Sequence, residues 1–119
     1  MEKNLIYAEM LDIYKGLLTE KQAEAMDYYY NSDYSLGEIS ELMDISRQGV
    51  RDFIKRGETV MDEIESKLCL VRKFRAASDI EAAAEEIGFL NKKLSENKRI
   101  DFLSEEIVKA ARLIENGEE

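Results

Sequence analysis

The sequence predicts an all-α protein, and three observations favour this class. The chain of 119 residues contains no proline. Apolar residues recur at spacings of three and four, as they do along one face of a helix. The alternation of β-branched and polar residues that is typical of strands is scarce. We therefore expect helices throughout the chain.

The first two helices are predicted from apolar spacing and from their end signals. Helix one is expected over about residues 3–15, with Gly16 as its stop. Thr19 is expected to begin helix two, and Gln22 three residues later completes a capping box. In such a box each side chain bonds to the backbone amide of the other residue, which fixes the start of the helix.

Three consecutive tyrosines, Tyr28 to Tyr30, follow in the second helix. Aromatic rings at this position are compatible with a platform on which nucleic-acid bases stack. Tyrosines at helical spacing next to a small helical motif are more typical of core packing, and we favour that interpretation.

Residues 35–56, SLGEISELMDISRQGVRDFIKR, have the pattern of a helix-turn-helix. Ser35 and Glu38 form a second capping box, which begins the first helix of the motif. Asp44 stands at the turn, where the chain needs a positive φ that Asp tolerates better than most residues. Ser46 has the residue type of an N-cap for the second helix. Two short helices are therefore expected to cross.

Polar and basic residues occupy the outward positions of this second helix. Arginine matches the geometry of guanine and phosphate, glutamine matches adenine, and the free amides of a helix N-terminus suit a phosphate. A helix placed in this way can enter the major groove of DNA. The predicted DNA-binding residues are Ser46, Arg47, Gln48, Arg51, Lys55 and Arg56.

The charge of the chain is unevenly distributed. The whole chain carries a formal net charge of −9, whereas residues 46–75 contain 8 basic and 5 acidic residues. An acidic protein repels a phosphate backbone at long range, so composition excludes general nucleic-acid binding. Any contact with DNA must be local to the basic segment. The alternative for this segment is a solvated helix face that balances acidic neighbours.

The recognition helix is expected to continue from Arg47 to about Lys73. Apolar residues at spacings of three and four extend along it, as in the seam of a short coiled coil. Either the C-terminal helices or a second copy of the protein must cover this seam, and the sequence leaves both alternatives open. The predicted seam residues are Ile54, Gly57, Met61, Ile64, Leu68 and Val71.

Two further helices are expected in the last third of the chain, over residues 78–94 and 100–114. Ser78 and Glu81 have the spacing of a capping box. We therefore divide the chain into a helix-turn-helix domain, 1–75, and a C-terminal helical hairpin, 76–119, that packs on it or on a second subunit. The apolar stripes of the two helices are Ile80, Ala84, Ile87, Leu90 and Leu94, then Ile100, Leu103, Ile107, Ala110 and Ile114.

The residue inventory argues against an enzyme. The chain has no His, and its one cysteine, Cys69, has no His partner for nucleophilic catalysis. Its six glycines are scattered singly, so no phosphate-binding loop is present. We expect no catalytic residue, no metal site and no cofactor. No apolar run is long enough for membrane insertion, and the first residues lack a secretory signal, so we expect a cytoplasmic protein.

From residue 1 to about residue 70 the chain resembles the YlxM family of small bacterial helix-turn-helix proteins. The similarity lies in LLTEKQ at 17–22, YYYNSDYSLGEIS at 28–40 and SRQGVRDFIKR at 46–56. It implies a fold related to the fourth region of sigma factors, within the winged-helix-like DNA-binding superfamily. Genes of the family tend to lie beside those for signal recognition particle components, so the resemblance also implies a role in, or regulation of, that pathway.

Two functions from different classes follow. In the first, the chain is a regulator that binds double-stranded DNA through the basic helix, as a monomer or as a homodimer on two half-sites. In the second, it is an accessory factor that does not bind DNA, and the same helix docks on RNA or protein of the signal recognition particle. The sequence does not decide between them.

Overall fold

The computed structural model describes residues 3–116. Within this range the chain forms six α-helices and no strand, so the all-α prediction is confirmed. No helix in the same range is long and apolar enough to cross a membrane. The chain divides into two compact units, the first ending at Val71 and the second starting at Arg72. The helices are α1 (Ile6–Tyr14), α2 (Glu20–Met26), α3 (Leu36–Met43), α4 (Arg47–Leu68), α5 (Leu70–Leu94) and α6 (Lys98–Asn116).

Reciprocal side-chain caps begin α2 and α3, as the sequence predicts. Thr19 Oγ1 accepts the backbone N–H of Gln22 at 3.2 Å, and Gln22 Oε1 accepts that of Thr19 at 3.1 Å. Ser35 and Glu38 form the same pair of bonds, at 3.1 and 3.2 Å. Because the first amides of a helix have no partner within it, these two boxes fix where α2 and α3 start.

Two α-helices of the first unit are each followed directly by a helical turn with a different hydrogen-bond spacing. α1 is followed by a 3₁₀ turn, Lys15–Leu17, so Gly16 lies inside this turn and does not stop the helix directly. α2 runs into a π-helical turn, Asp27–Asn31, that carries the three tyrosines. Tyr29 is buried in the core, and the tyrosines on either side are half-buried against it. The core interpretation of this cluster is confirmed.

A tight turn joins α3 to α4. Asp44 adopts the left-handed conformation there, with φ 54°. The Ser40 hydroxyl donates a hydrogen bond to the carbonyl of Ile45, which closes the turn from the α3 side. On the α4 side, the Ser46 hydroxyl accepts the Gly49 N–H at 3.0 Å. The predicted helix-turn-helix is therefore present, with the caps that the sequence indicates.

One side of α4 carries the core of the first unit, and α1, α2 and α3 pack on it. The approach to α2 is close at Gly57, where an added Cβ would lie 2.3 Å from Met26 Sδ. Met26 is itself fully buried, so a larger residue at position 57 would have to displace a core side chain. The buried apolar residues are Met10, Leu11, Tyr14, Ala25, Met26, Tyr29, Ile39, Val50, Ile54, Met61 and Val71.

The stripe predicted as an oligomer seam belongs to this same core. The chain's own α1 and α2 pack against α4 where three of the six positions are buried, and a fourth, at the start of α5, is buried in the same core. Ile64 is half-buried against the core, and Leu68 is 46% exposed. The four buried residues are Ile54, Gly57, Met61 and Val71.

α4 ends at Leu68, so the prediction of one continuous helix to about Lys73 is wrong. Cys69 adopts the left-handed conformation, with φ 55°, and its N–H still bonds to the carbonyl of Glu65 at 2.9 Å. A left-handed residue at this position is a common way for a helix to end. No Gly or Pro marks the position in the sequence, which is why the break was missed.

Side chains of the first unit cap the start of α5. The Leu70 N–H donates to the Tyr14 hydroxyl at 3.2 Å, and the Val71 N–H donates to Glu65 Oε1 at 3.0 Å. The Tyr14 hydroxyl in turn donates to the Glu65 carboxylate. Two amides that would otherwise lack partners are thus satisfied, which stabilises the break between α4 and α5.

Two more tyrosines bind carboxylates along α4. Tyr7 Oη donates to Asp62 Oδ2 at 2.9 Å, and Tyr30 Oη donates to Glu58 Oε1 at 2.8 Å. Burial and the bond to Asp62 raise the pKa of Tyr7 to about 12. Burial and the bond to Glu58 likewise raise the pKa of Tyr30. Both phenols therefore stay protonated and tie the N-terminal elements to the middle of α4.

The second unit is an antiparallel pair formed by α5 and α6. Arg112, late in α6, binds Glu81 of α5 at 2.8 Å, and Asn91, late in α5, binds Asp101 of α6 at 2.8 Å. The Arg112 guanidinium holds the pKa of Glu81 below its usual value. The predicted hairpin helices are therefore present, although Ser78 lies inside α5 and does not begin a helix.

A buried asparagine organises the turn between α5 and α6. The amide of Asn91 donates to the carbonyl of Asn97 at 2.7 Å, and its oxygen accepts from Ser95 Oγ at 2.7 Å and from the Asn97 N–H at 3.0 Å. Asn97 Oδ1 then accepts the amides of Arg99 and Ile100, which caps α6. The sequence pattern did not single out Asn91.

Replacing Asp44 by glycine should stabilise the protein by about 0.5–1 kcal/mol. Glycine adopts the left-handed conformation without the steric cost that a Cβ brings. Urea titration measures the free energy of unfolding. The matched control is Glu41→Gly, at an exposed position inside α3, which should cost about 1 kcal/mol. A loss of similar size in both variants would contradict the role assigned to the turn.

The stability of the protein should fall as the pH rises from about 10 to about 12. A pKa raised in the folded state means that unfolded Tyr7 loses its proton first, so the stabilisation is complete below pH 10 and is lost as the pH approaches 12. Urea titrations over this range should show a shallower decline for Tyr7→Phe, which removes the ionising group. If the free energy of unfolding declined equally in the two proteins, Tyr7 would have the same pKa in the folded and unfolded states, and the prediction would be wrong.

Candidate nucleic-acid interface

The first three turns of α4 carry the residues predicted to contact DNA. All six side chains are exposed, which agrees with their expected outward direction. Ser46 differs from the others because its hydroxyl already accepts the Gly49 N–H. Its role in the structure is to cap α4 and to orient the first amides of the helix.

Arg47, Arg51 and Lys55 follow one another at intervals of four residues. Each step advances about 6 Å along the helix and turns about 40° around it, so the three side chains form a row on one side of α4. Gln48 lies next to this row. The apolar side of the same turns, through Val50, is buried in the core and fixes the direction in which the row faces.

Arg56 lies on a different side of the helix. Five residues separate it from Arg51, which corresponds to a rotation of about 140°. Together with Lys55 it lines a groove beside Gln22 of α2. The structure thus brings Arg47, Gln48, Arg51 and Lys55 together on one side of α4, whereas Arg56 is next to Lys55 only and faces away from Arg51.

The guanidinium of Arg47 rests against the first turn of α3. A Cβ added at Gly37 would lie 3.0 Å from Arg47 Nη2 and 3.2 Å from Nε. Glycine at this position therefore lets the arginine lie flat against α3, which restricts where its charge is presented. The sequence did not indicate a role for Gly37, because a single glycine within a helix does not reveal a contact with Arg47, ten residues away.

Acidic neighbours bind two of the predicted residues. Gln48 Nε2 donates to Asp52 Oδ1 at 3.0 Å, and Lys55 Nζ lies 3.8 Å from a carboxylate oxygen of Glu58. Between residues 3 and 116, by contrast, Arg51 makes no hydrogen bond or ion pair. Its guanidinium is therefore fully available to a ligand. Asp52 is a second residue of the interface that sequence reasoning did not name.

A model of the UPF0122 family, described as "Putative helix-turn-helix protein, YlxM / p13 like", matches residues 1–105. The chain belongs to this family. The resemblance proposed from the sequence is thereby confirmed, and the match extends beyond the helix-turn-helix into the second unit.

Members of the family from several bacteria are similar to the chain. The UPF0122 protein of Acetivibrio thermocellus is 55% identical over 74 residues, which are 62% of this chain and 63% of that protein. The relative from Halalkalibacterium halodurans is 49% identical over 80 residues, 67% of this chain and 73% of the relative. The relative from Bacillus mycoides is 38% identical over 110 residues, 92% and 94% of the two chains. The chain thus matches just under two thirds of the first relative and nearly all of the third.

Replacing Gly37 by alanine should move Arg47 without lowering stability. The added Cβ takes space now occupied by the end of a flexible side chain, which can swing towards solvent. We expect the Nε–H resonance of Arg47 to shift in ¹⁵N NMR spectra, while the urea midpoint stays level or rises. The control is Gly16→Ala, where a new Cβ meets nothing within 4 Å. An unchanged Arg47 resonance would contradict the contact with α3.

Proposed function

We propose that the chain is a DNA-binding regulatory protein whose α4 enters the major groove of double-stranded DNA. The observation that carries this proposal is the row of Arg47, Arg51 and Lys55 on the exposed first turns of α4, within a helix-turn-helix. In such motifs the start of the second helix faces the base edges. The family description, a helix-turn-helix protein, agrees with this use of the fold.

The geometry suggests a role for each side chain. Arg47 and Arg51, at the start of α4, are nearest to base edges, where a guanidinium matches the two acceptors of guanine. The amide nitrogen of Gln48 is engaged by Asp52, so its carbonyl oxygen is the group that faces a base amino group. Lys55 and Arg56, further along and on different sides, are placed for backbone phosphates on the two walls of the groove.

The charge of the chain limits this binding to a few contacts. With a net charge of −9 the molecule as a whole is repelled by DNA, and only the basic segment attracts it. Two of its cations, Lys55 and Arg56, are placed for phosphates, so the slope of log affinity against log salt should be only about −2. Such a protein gains little from non-specific binding and depends on the base contacts of α4.

The biological role that we propose is regulation of, or participation in, the signal recognition particle pathway in the bacterial cytoplasm. This step rests on the resemblance to the YlxM family, whose genes tend to lie beside those for components of the particle. The relatives of the chain are bacterial proteins, which is consistent with that setting.

An accessory role without DNA is the second candidate function. The observation that favours it is the acidic character of the interface itself, where Asp52 and Glu58 lie among the basic residues. Carboxylates at these positions repel phosphates and suit a protein partner with mixed charge. In this reading α4 docks on a protein of the signal recognition particle, and docking on the particle RNA is the other form of the accessory role.

A binding experiment with the full chain separates the two functions. The protein is mixed with a pool of genomic duplexes and, separately, with the particle RNA, at two salt concentrations. We expect selective enrichment of some duplexes. In Arg47→Ala/Arg51→Ala the affinity for them should fall by about 100-fold or more, since each base-contacting arginine contributes about 1–3 kcal/mol.

The matched control is Lys67→Ala, which removes an exposed cation from the same helix about 30 Å from Arg47. This variant should bind the enriched duplexes as the unchanged protein does. Equal losses in both variants would show a general charge effect. Enrichment of no duplex at low salt would refute the DNA-binding proposal, and binding of the particle RNA alone would favour the accessory role.

A further inference from the structure

The hairpin of α5 and α6 buries only small or polar side chains between its helices. An added Cβ at Gly88 would lie 3.2 Å from Ser104 Oγ, so the two helices approach each other closely. Between residues 72 and 116 no large apolar side chain is buried. The buried residues are Ala77, Ala84, Asn91, Ser104 and Ala111.

Most isoleucines and leucines of the hairpin form one stripe along each helix, on a different side from the small residues buried between the helices. Their spacing is three and four residues throughout, as in a helix that packs along one side against a partner. Of the isoleucines and leucines in the two stripes, Ile100 is half-buried and the other seven are 40–81% exposed. The stripes are Ile80, Ala83, Ile87, Leu90 and Leu94 on α5, and Ile100, Leu103, Ile107, Ala110 and Ile114 on α6.

The two stripes lie on the same side of the hairpin. On each helix the stripe precedes the buried positions by one residue, as Ala83 precedes Ala84 and Ala110 precedes Ala111. One residue corresponds to a rotation of about 100°. The stripe on each helix is therefore rotated by the same angle from the buried side. Because the two helices are antiparallel, these rotations bring both stripes to the same side of the hairpin. Together they form a continuous two-helix surface, which we call the apolar face.

We propose that the apolar face packs against the apolar face of a second copy, so that two hairpins form a four-helix bundle. Antiparallel helix pairs with heptad-spaced apolar residues are the parts from which such bundles are built. At about 80 Å² for each half-exposed Ile or Leu, the face offers roughly 600–700 Å² per copy. With its polar rim it reaches the roughly 800 Å² per partner of a stable interface.

The charges at the rim of the apolar face suit a like copy. α5 contributes Asp79, Glu86 and Lys93, and α6 contributes Arg99 and Glu106. Both signs are present and nearly balance, so a second copy can approach without the repulsion expected from a net charge of −9. An anionic membrane or a nucleic acid would instead require a basic rim. The mixed rim therefore favours a second copy.

Analytical ultracentrifugation of the full chain over a wide concentration range tests this proposal, without DNA. We expect a species with twice the mass of one chain. In Ile87→Glu/Leu103→Glu, which places carboxylates in the centre of the apolar face, the dissociation constant should rise by about 100-fold or more. Both positions are exposed in the single chain, so circular dichroism of the variant should show unchanged helicity.

The matched control is Phe89→Glu/Phe102→Glu. These two residues are 58% and 50% exposed, lie on the same two helices and face away from the apolar face. The control adds the same charge and should remain dimeric. A monomer at all concentrations of the unchanged protein would overturn the proposal, as would a dimer that persists in Ile87→Glu/Leu103→Glu. Either result leaves the proposed binding of DNA untouched, because the mass is measured without it.

Discussion

The burial of one side of α4 beneath α1, α2 and α3 is the constraint on which the first unit depends. It requires a small residue where α2 crosses, and Gly57 against Met26 meets this requirement. It also fixes the rotation of α4, because Val50 and Ile54 must face inward. The row of Arg47, Arg51 and Lys55 must therefore face solvent, away from the core. The geometry of the candidate interface is thus a consequence of core packing further along the same helix.

Much of the helix-turn-helix could be predicted because its determinants are local. Ser35 and Glu38 are three residues apart, and Asp44 needs only its own backbone to adopt the left-handed conformation. The end of α4 could not be predicted in this way. It depends on Tyr14, which lies 51 positions before its partner Glu65. No sequence pattern around Cys69 indicates that Tyr14, from α1, caps the start of α5.

The candidate interface shows the same division. Its residue types and their exposure follow from the letters and the helical period, and the period also suffices to set Arg56 apart from Arg51. The resting place of the Arg47 guanidinium does not follow, because it depends on the crossing of α3 and α4 at Gly37. The sequence also shows apolar stripes in the two hairpin helices. On each helix, however, both the large apolar residues and the small residues recur at helical spacing, so the sequence does not show which set is buried. Only the structure shows that the small residues are buried between α5 and α6.

The carboxylates of α4 limit the part of the helix that is available for the proposed contact with DNA. From Glu58 onward the helix presents Asp62 and Glu65, and tyrosines of the first unit bind all three. These acids hold the unit together, and their negative charge does not favour a phosphate backbone at the later turns of α4, which agrees with the proposed use of the first turns alone. The basic stretch from Ser46 to Arg56 is about 16 Å long. That length is close to the roughly 12 Å width of the major groove, so in the proposed complex one crossing of the groove would use the whole basic stretch.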